Sequence, residues 1–418
     1  MASLTGRNNT TEIVSPAGNL EKLKVAVNYG ADVVYFGGEQ LNLRMKTGNF
    51  SHEDIHQGIR YAHSHNARVI FLLNSYLHED QVDNARQYIK DLSEYNFDGI
   101  MVSDPGMIML LRESGMDIPL HLSTQMSTLN HLSISFWQQM GIQRVVLARE
   151  VTLDEIKKIR DHTDADIETF IHGALCVSYS GRCLLSRYLS GRDANQGSCS
   201  HPCRWRYSLV EEKRPGNHMD IIEHANGTEI LSSKDLCLIE KVPAFMQAGV
   251  NAFKIEGRMK SLYYTANTTR IYSHAVQTVH DGVDYNRWLG FWKNELDLIS
   301  HRPYTDDLFN EFGDNAFTGL PYVKKVLFLG YRVTGEEPSQ EVIIKVFNPI
   351  YKGETIDAIF PINGHEIIDG ELIVENIWDD EKSVDMAQPG REYLIGFDRP
   401  VNPHAILRRR LQDNGSTT

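Results

Sequence analysis

Cysteine is scarce in this 418-residue chain and confined to one stretch: there are five, none before Cys176 and none after Cys237. That excludes a disulfide-framed secreted domain, which is dense in cysteine along its length. No pair has the Cys-x-x-Cys spacing of thioredoxin-type redox sites, because the intervals are six, fifteen, three and thirty-three residues. Long apolar runs are lacking as well. Val69–Leu73 is among the longest, far below the roughly 20 residues that cross a bilayer. The opening MASLTGRNNT carries no apolar export segment, so the chain reads as cytoplasmic with no membrane partner. Excess positive charge is absent at a net −13. This rules out indiscriminate coating of nucleic acid, and any RNA contact must use a local basic face. A Gly-x-Ser-x-Gly nucleophile elbow is also missing.

What is present starts with the cysteines themselves. Residues 176–183 read CVSYSGRC and residues 199–203 read CSHPC. Core thiols would be scattered, whereas soft thiolates drawn from one loop and one more distant position suit tetrahedral zinc or an iron–sulfur cluster. Around them the charge reverses. Arg182, Arg187, Arg192, Arg204 and Arg206 face a single acid, Asp193, within residues 176–207. Such an excess either balances an anionic cluster or offers guanidinium forks to carboxylates and phosphates.

From residue 11 to about 258, short β-branched runs alternate with helical stretches. Eight strands are predicted, at Glu12–Ser15, Val33–Phe36, Val69–Leu73, Ile100–Ser103, Leu120–Thr124, Val145–Arg149, Glu168–Gly173 and Ala252–Glu256. Leu20, Leu23 and Val27 form one apolar helix face, and Ser51-x-x-Asp54 and Thr152-x-x-Glu155 are capping boxes. Asp104-Pro105-Gly106 reads as a turn. The pattern predicts an α/β fold, a (β/α)8 TIM-like barrel over 1–282 with a cysteine-bearing insertion at 176–237. Within the insertion, Asn226-Gly227 marks a hairpin that returns the chain to Cys237.

Almost every strand leaves its apolar run through polar residues. In parallel barrels, those carboxyl ends carry the chemistry. The predicted rim therefore combines the cysteines with Glu39, His121, Gln125, Arg149, Glu150, His172, Lys254, Glu256 and Arg258. Blander roles stand beside this one: His121 and His172 as bonded lumen residues, Glu150 as a helix cap, and Lys254, Glu256 and Arg258 as a salt-bridged face of one strand. Tyr263 to His280 reads as a long helix, and 283–322 as a mixed, aromatic-rich connector. From 323 to 411 helix signals vanish and short runs such as Glu341–Phe347, Thr355–Phe360 and Leu372–Ile377 predict a small all-β barrel, before a disordered tail at 412–418. Arg408-Arg409-Arg410 near the end offers a weak phosphate patch.

The chain resembles the collagenase-like peptidase family U32 through Ser15-Pro16-Ala17-Gly18-Asn19, Tyr35-Phe36-Gly37-Gly38, Ser103-Asp104-Pro105-Gly106, His121-Leu-Ser-Thr-Gln125, His172-Gly173-Ala174, Ser180-Gly181-Arg182-Cys183, Pro202-Cys203-Arg204-Trp205, Ser233-Lys234-Asp235-Leu236 and Lys254-Ile255-Glu256-Gly257-Arg258. Within that family it is similar to the branch that hydroxylates tRNA, making 5-hydroxyuridine at the wobble position of the anticodon. The resemblance implies a 4Fe-4S cluster on Cys176, Cys183, Cys199 and Cys237, with Cys203 close enough to replace Cys199. It also implies prephenate as an oxygen-independent hydroxyl source. Prephenate is a dicarboxylate suited to rim cations such as Arg149, Arg182 and Arg258. Glu39, His121, Gln125 and Lys254 would complete the substrate surface, and Glu150, His172 or Glu256 would move the proton lost from uridine C5. Two other readings are a peptidase acting on collagen-like chains and a non-catalytic member of a pair with a paralogous partner subunit.

Overall fold

The computed structural model describes residues 11–43, 49–175, 185–192, 199–200, 202, 209–210, 218–219, 222–224, 227–229, 234–306 and 323–411. The chain divides into two compact units. The first is Met1–Val27, Ala31–Lys260 and Arg302–Pro321, and the second is Asn28–Gly30, Ser261–His301 and Tyr322–Thr418. The helix Leu262–His280 thus groups with the C-terminal strands, whereas its sequence position had suggested the barrel.

The first unit is the expected closed barrel. Strands β1 (Glu12–Pro16), β2 (Val33–Phe36), β3 (Arg68–Leu73), β4 (Gly99–Val102), β5 (Leu120–Leu122), β6 (Ile142–Val146) and β7 (Asp166–Ala174) pair in order. The strand Ala252–Ile255 closes the ring, parallel to both β7 and β1. The run placed at Val145–Arg149 lies earlier, because the pairing with β5 and β7 draws Ile142–Val146 into the sheet. Helices α1 (Leu20–Asn28), α2 (His52–Ser64), α3 (Val82–Leu92), α4 (Pro105–Glu113), α5 (His131–Gln139) and α6 (Leu153–Arg160) alternate with the strands. Both capping boxes form: Ser51 and Asp54 close the start of α2, and Thr152 and Glu155 close that of α6. Asp104 is more than a turn residue. Its carboxylate accepts from the Met107 amide at 3.1 Å, and Pro105, with φ preset and no amide to lose, opens α4.

β7 is the hub of the sheet. One edge pairs with β6 and the other with the closing strand, and its last three residues also pair antiparallel with Asp235–Cys237. The expected hairpin is present as Ile222–His224 against Gly227–Glu229.

In the second unit six antiparallel strands close on themselves: Thr355–Ile359, Ile406–Arg410, Val326–Arg332, Ser339–Val346, Glu392–Val401 and Gly370–Asp379, the last pairing back to the first. Leu329, Ile344, Val374, Ile377, Ile395 and Leu407 fill the interior. The three arginines near the end of the chain each have an acidic partner within the unit. Arg408 forks onto Glu295 at 2.7 and 2.9 Å and donates to the Tyr263 hydroxyl, Arg409 is bonded to Glu354, and Arg410 reaches Asp357 at 2.8 Å.

Candidate active site

The carboxyl ends of β7 and the closing strand bring several of the expected residues together. His172, 1% exposed, lies in β7, and its carbonyl accepts the Glu256 amide at 2.9 Å. The ring of Tyr304 stands 5.3 Å from that of His172. Cys237 is the antiparallel register partner of His172, so this half-buried thiol lies beside the strand whose next residues lead to Cys176. Asp235, in the same short strand and 1% exposed, accepts the Arg302 amide at 3.2 Å and has Lys260 3.8 Å away.

Cys199, also half-buried, is fixed through its neighbour Ser200. The Ser200 amide donates to Ser186 Oγ at 3.0 Å, and its hydroxyl lies 2.6 Å from that of Ser190. Both serines belong to the helix Leu185–Ser190, which begins two residues after Cys183. Cys176, Cys183, Cys203 and Arg182 lie outside the described residues. Among the described residues no three of His, Cys, Asp and Glu gather as a ligand set. Cys237 is paired with the end of β7, which leads in sequence to Cys176, and Cys199 adjoins Ser200, which is tied to the helix that follows Cys183 in sequence; cysteine sulfur is a donor that a soft metal or cluster takes.

Other expected residues have different surroundings. Lys254 donates to Glu168 at 2.6 Å inside the lumen, where both are almost wholly buried, and its ammonium lies 4.1 Å from the Tyr35 ring centroid. Glu168 also lies 3.7 Å from Arg144, which bonds Asp166 and Glu12, and Glu12 reaches Arg68. His121 belongs to this buried interior. Burial, then the charges of Arg144, Lys254 and Arg68, holds its ring well below the usual histidine range, so it is neutral. Lys254, Glu256 and Arg258 do not share a strand face as the alternation suggested. The strand ends at Ile255 after a register shift, which leaves Glu256 and Arg258 in the rim loop.

Arg258 is 5% exposed and donates to Asn42 Oδ1 at 3.1 and 3.2 Å and to Asn49 Oδ1 at 3.0 Å. Neither asparagine stood out in the sequence; the long β2–α2 connection was the only signal. Gln125 sits in a one-turn helix, bonded to Ser123. Glu39 is exposed beyond β2.

Arg149 and Glu150 line a cavity of about 360 Å³ with Thr152, Phe170, Leu236 and Lys241. The Arg149 guanidinium lies 4.1 Å from the Phe170 ring centroid. Lys241 and Phe245, on the same wall, were missed because they follow the insertion and carry no motif.

A chain read as lacking the His-Glu-x-x-His pattern of zinc peptidases in fact carries that spacing at His52-Glu53-Asp54-Ile55-His56. It opens α2, where His52 is bonded to the Tyr95 hydroxyl, the His56 ring stands 4.6 Å from the same tyrosine ring, Glu53 accepts from Gln57, and Asp54 is taken up by the cap. Among the described residues no third ligand joins the two histidines.

Curated proteins to which this chain is similar include the following three. The tRNA hydroxylation protein P1 of Bacillus subtilis (strain 168) is 34% identical over 410 residues, covering 95% of this chain and 94% of its own. The tRNA hydroxylation protein P of Escherichia coli (strain K12) is 34% identical over 394 residues, covering 84% and 86%. A collagenase of Porphyromonas gingivalis (strain ATCC BAA-308 / W83) is 32% identical over 422 residues, covering 96% and 98%. The profile of peptidase family U32 matches residues 18–316, and with relatives at this identity along nearly the whole length, the chain belongs to that family.

Proposed function

We propose that this protein is an RNA-hydroxylating enzyme, and more specifically that it converts the wobble uridine of tRNA to 5-hydroxyuridine. The observation that carries the reading is full-length similarity to tRNA hydroxylation proteins, joined to a barrel rim where Cys237 pairs with the strand entering the cysteine loop. Cys176, Cys183, Cys199 and Cys237 would hold a 4Fe-4S cluster, with Cys203 as substitute for Cys199. When bound, such a cluster supplies a Lewis-acidic or electron-transferring iron at the rim. Prephenate is the proposed hydroxyl source, its carboxylates held by rim arginines.

The chain's own residues then have definite tasks. The anticodon base must leave its stack to reach the rim, and single-stranded loops permit this at a cost of a few kcal/mol. Glu256, half-buried and tied through its amide to the His172 carbonyl, is the proposed acceptor of the proton lost from uridine C5, with His172 or Glu150 as the alternatives.

The test is nucleoside mass spectrometry of tRNA from cells whose only copy of this protein carries Cys237→Ala. Loss of 5-hydroxyuridine and its derivatives is expected; an undiminished signal rejects the assignment. Reconstitution with tRNA and prephenate alone decides whether a paralogous partner is needed. The family name and the collagenase relative favour a second reading, peptide cleavage. It requires the purified protein to cut a collagen-like chain with iron and zinc removed and restored in turn.

A further inference from the structure

β7 changes neighbour along one edge, and the change leaves a gap. β6 pairs with it as far as Glu168, whose carbonyl accepts the Leu147 amide at 2.9 Å. The strand Asp235–Cys237 takes over where the Leu238 amide reaches the Ile171 carbonyl at 3.0 Å. Both use the same edge, because the closing strand occupies the other through His172. Thr169 and Phe170 therefore lie between the two. The cavity of about 360 Å³ opens there: both residues line it, with the loop that carries β6 into α6 on one side and Leu236 and Leu238 on the other. Crevices at the carboxyl ends of parallel strands, where neighbours part, are where such sheets bind ligands, and the volume is that of a small-molecule site.

The charges of the lining select a neutral ligand. Arg149 and Lys241 are set against Glu150, Asp154 and Asp306, with Lys241 2.9 Å from Asp306 and Asp154 3.1 Å from Lys157. An anion meets no excess of positive charge here, and a cation finds both aspartates already paired. A neutral molecule has no charge to desolvate. Two further features fit a planar one with a polar edge. The Arg149 guanidinium lies 4.1 Å from the Phe170 ring centroid, and both groups are of the kind on which unpaired bases stack. The Thr169 hydroxyl is buried in a residue 6% exposed and has no hydrogen-bond partner among the described residues. Buried hydroxyls are normally bonded, and a base edge carries both donors and acceptors. Leu236 and Cys237 are consecutive in an extended strand, so their side chains lie on opposite faces of it. The cavity that Leu236 lines is thus distinct from the face on which Cys237 meets His172.

We propose that the cavity is a second base pocket: it holds an unpaired base next to the reacting one in the RNA, stacked on Arg149 and bonded at its edge by Thr169. The inference rests on the RNA-hydroxylation reading and adds to it a contact that reads sequence context.

The experiment measures the Kd of the full-length, cluster-loaded protein for tRNA and for tRNA made abasic, in turn, at each nucleotide flanking the reacting uridine. Wild type is compared with Val151→Trp and Thr169→Val. Val151 is half-buried in the cavity wall, so tryptophan there fills the space, whereas Thr169→Val replaces the hydroxyl by a methyl. For wild type, one abasic position is expected to raise Kd about tenfold, the worth of one base stack. Val151→Trp raises Kd for intact tRNA by a similar factor and Thr169→Val by a smaller one, and neither adds to the loss at that abasic position. The pocket is overturned if the losses multiply, since the base and the cavity are then independent. Should Val151→Trp fail to fold, Thr169→Val decides by the same criterion. Normal tRNA binding by the variants with a raised KM for the small hydroxyl donor also overturns it, because the cavity then holds that donor. If wild type hydroxylates tRNA and no flanking abasic position matters, the pocket fails while the RNA reading stands. If wild type neither binds nor hydroxylates tRNA, the reading itself fails and takes the pocket with it.

Discussion

Lys254 and Glu168 form an ion pair with almost no access to water, and Arg144 extends it toward Asp166 and Glu12. The pair is worth little compared with a well-packed apolar replacement, but removing one member leaves the other charged and unsatisfied. Lys254→Met is therefore expected to cost about 3–5 kcal/mol, read as a lower urea midpoint, whereas Lys254→Met with Glu168→Gln recovers part of the loss. A rim role for Lys254 predicts the opposite ranking, with activity lost at unchanged stability. In the sequence Lys254, Glu256 and Arg258 look like one face, because alternation is a local property. Where the strand ends depends on β7, more than eighty residues earlier in the chain. That is why the residue types at the site were legible and their division between lumen and rim was not.

At the scale of elements, signals contained in a few consecutive residues read through cleanly. The caps of α2 and α6 and the Asn-Gly hairpin are of this kind, and Thr152→Ala is expected to cost about 1 kcal/mol in chemical denaturation by freeing amides at the start of α6. The strand Asp235–Cys237 announces itself less, because three residues have no readable period and its partner is distant. The helix Asn286–Leu298 was likewise hidden: Gly290 lies in its middle and its buried side includes Glu295 with Trp292 and Leu296. Gly173 is the joint between β7, the closing strand and the Cys237 strand. Its φ is +112°, and a Cβ would fall 2.3 Å from the Glu256 carbonyl oxygen, so the backbone has no room to yield without moving Glu256. Gly173→Ala is expected to destabilise the barrel by about 1–3 kcal/mol and to lower hydroxylation more than Thr152→Ala does at matched stability. Equal activity in the two variants, normalised to folded protein, would sever the link between this joint and the site.

For the whole molecule, the two units respond to acid in the same direction for the same physical reason. In the second unit, Trp292 Nε1 donates to His274 Nδ1 at 3.1 Å, which makes that nitrogen an acceptor. The proton of neutral His274 must then be on Nε2, which lies 3.0 Å from His365 Nδ1. Protonating His274 at Nδ1 breaks the tryptophan bond. Burial, followed by the charges of His365 and Arg270, brings the His274 pKa down to about 4. In the barrel, His121 is depressed by burial and by Arg144, Lys254 and Arg68. An unfolded histidine titrates near about 6.5. Below that pH the unfolded chain takes up protons that the folded chain refuses until His274 itself titrates, so stability is lost progressively from about pH 6.5 down to about 4. Glu295 adds nothing in that window at its upper end: burial raises its carboxyl, but Arg408 and Arg270 together hold it below the usual range, so its own contribution disappears only at the acid limit. Thermal unfolding of the full chain is expected to fall by several degrees between pH 7 and pH 5, at about 2–4 °C per kcal/mol for a unit of this size. His274→Gln, less stable at neutral pH, should show a flatter profile across the same interval. A variant as steep as wild type would move the acid sensitivity away from the Trp292–His274–His365 chain.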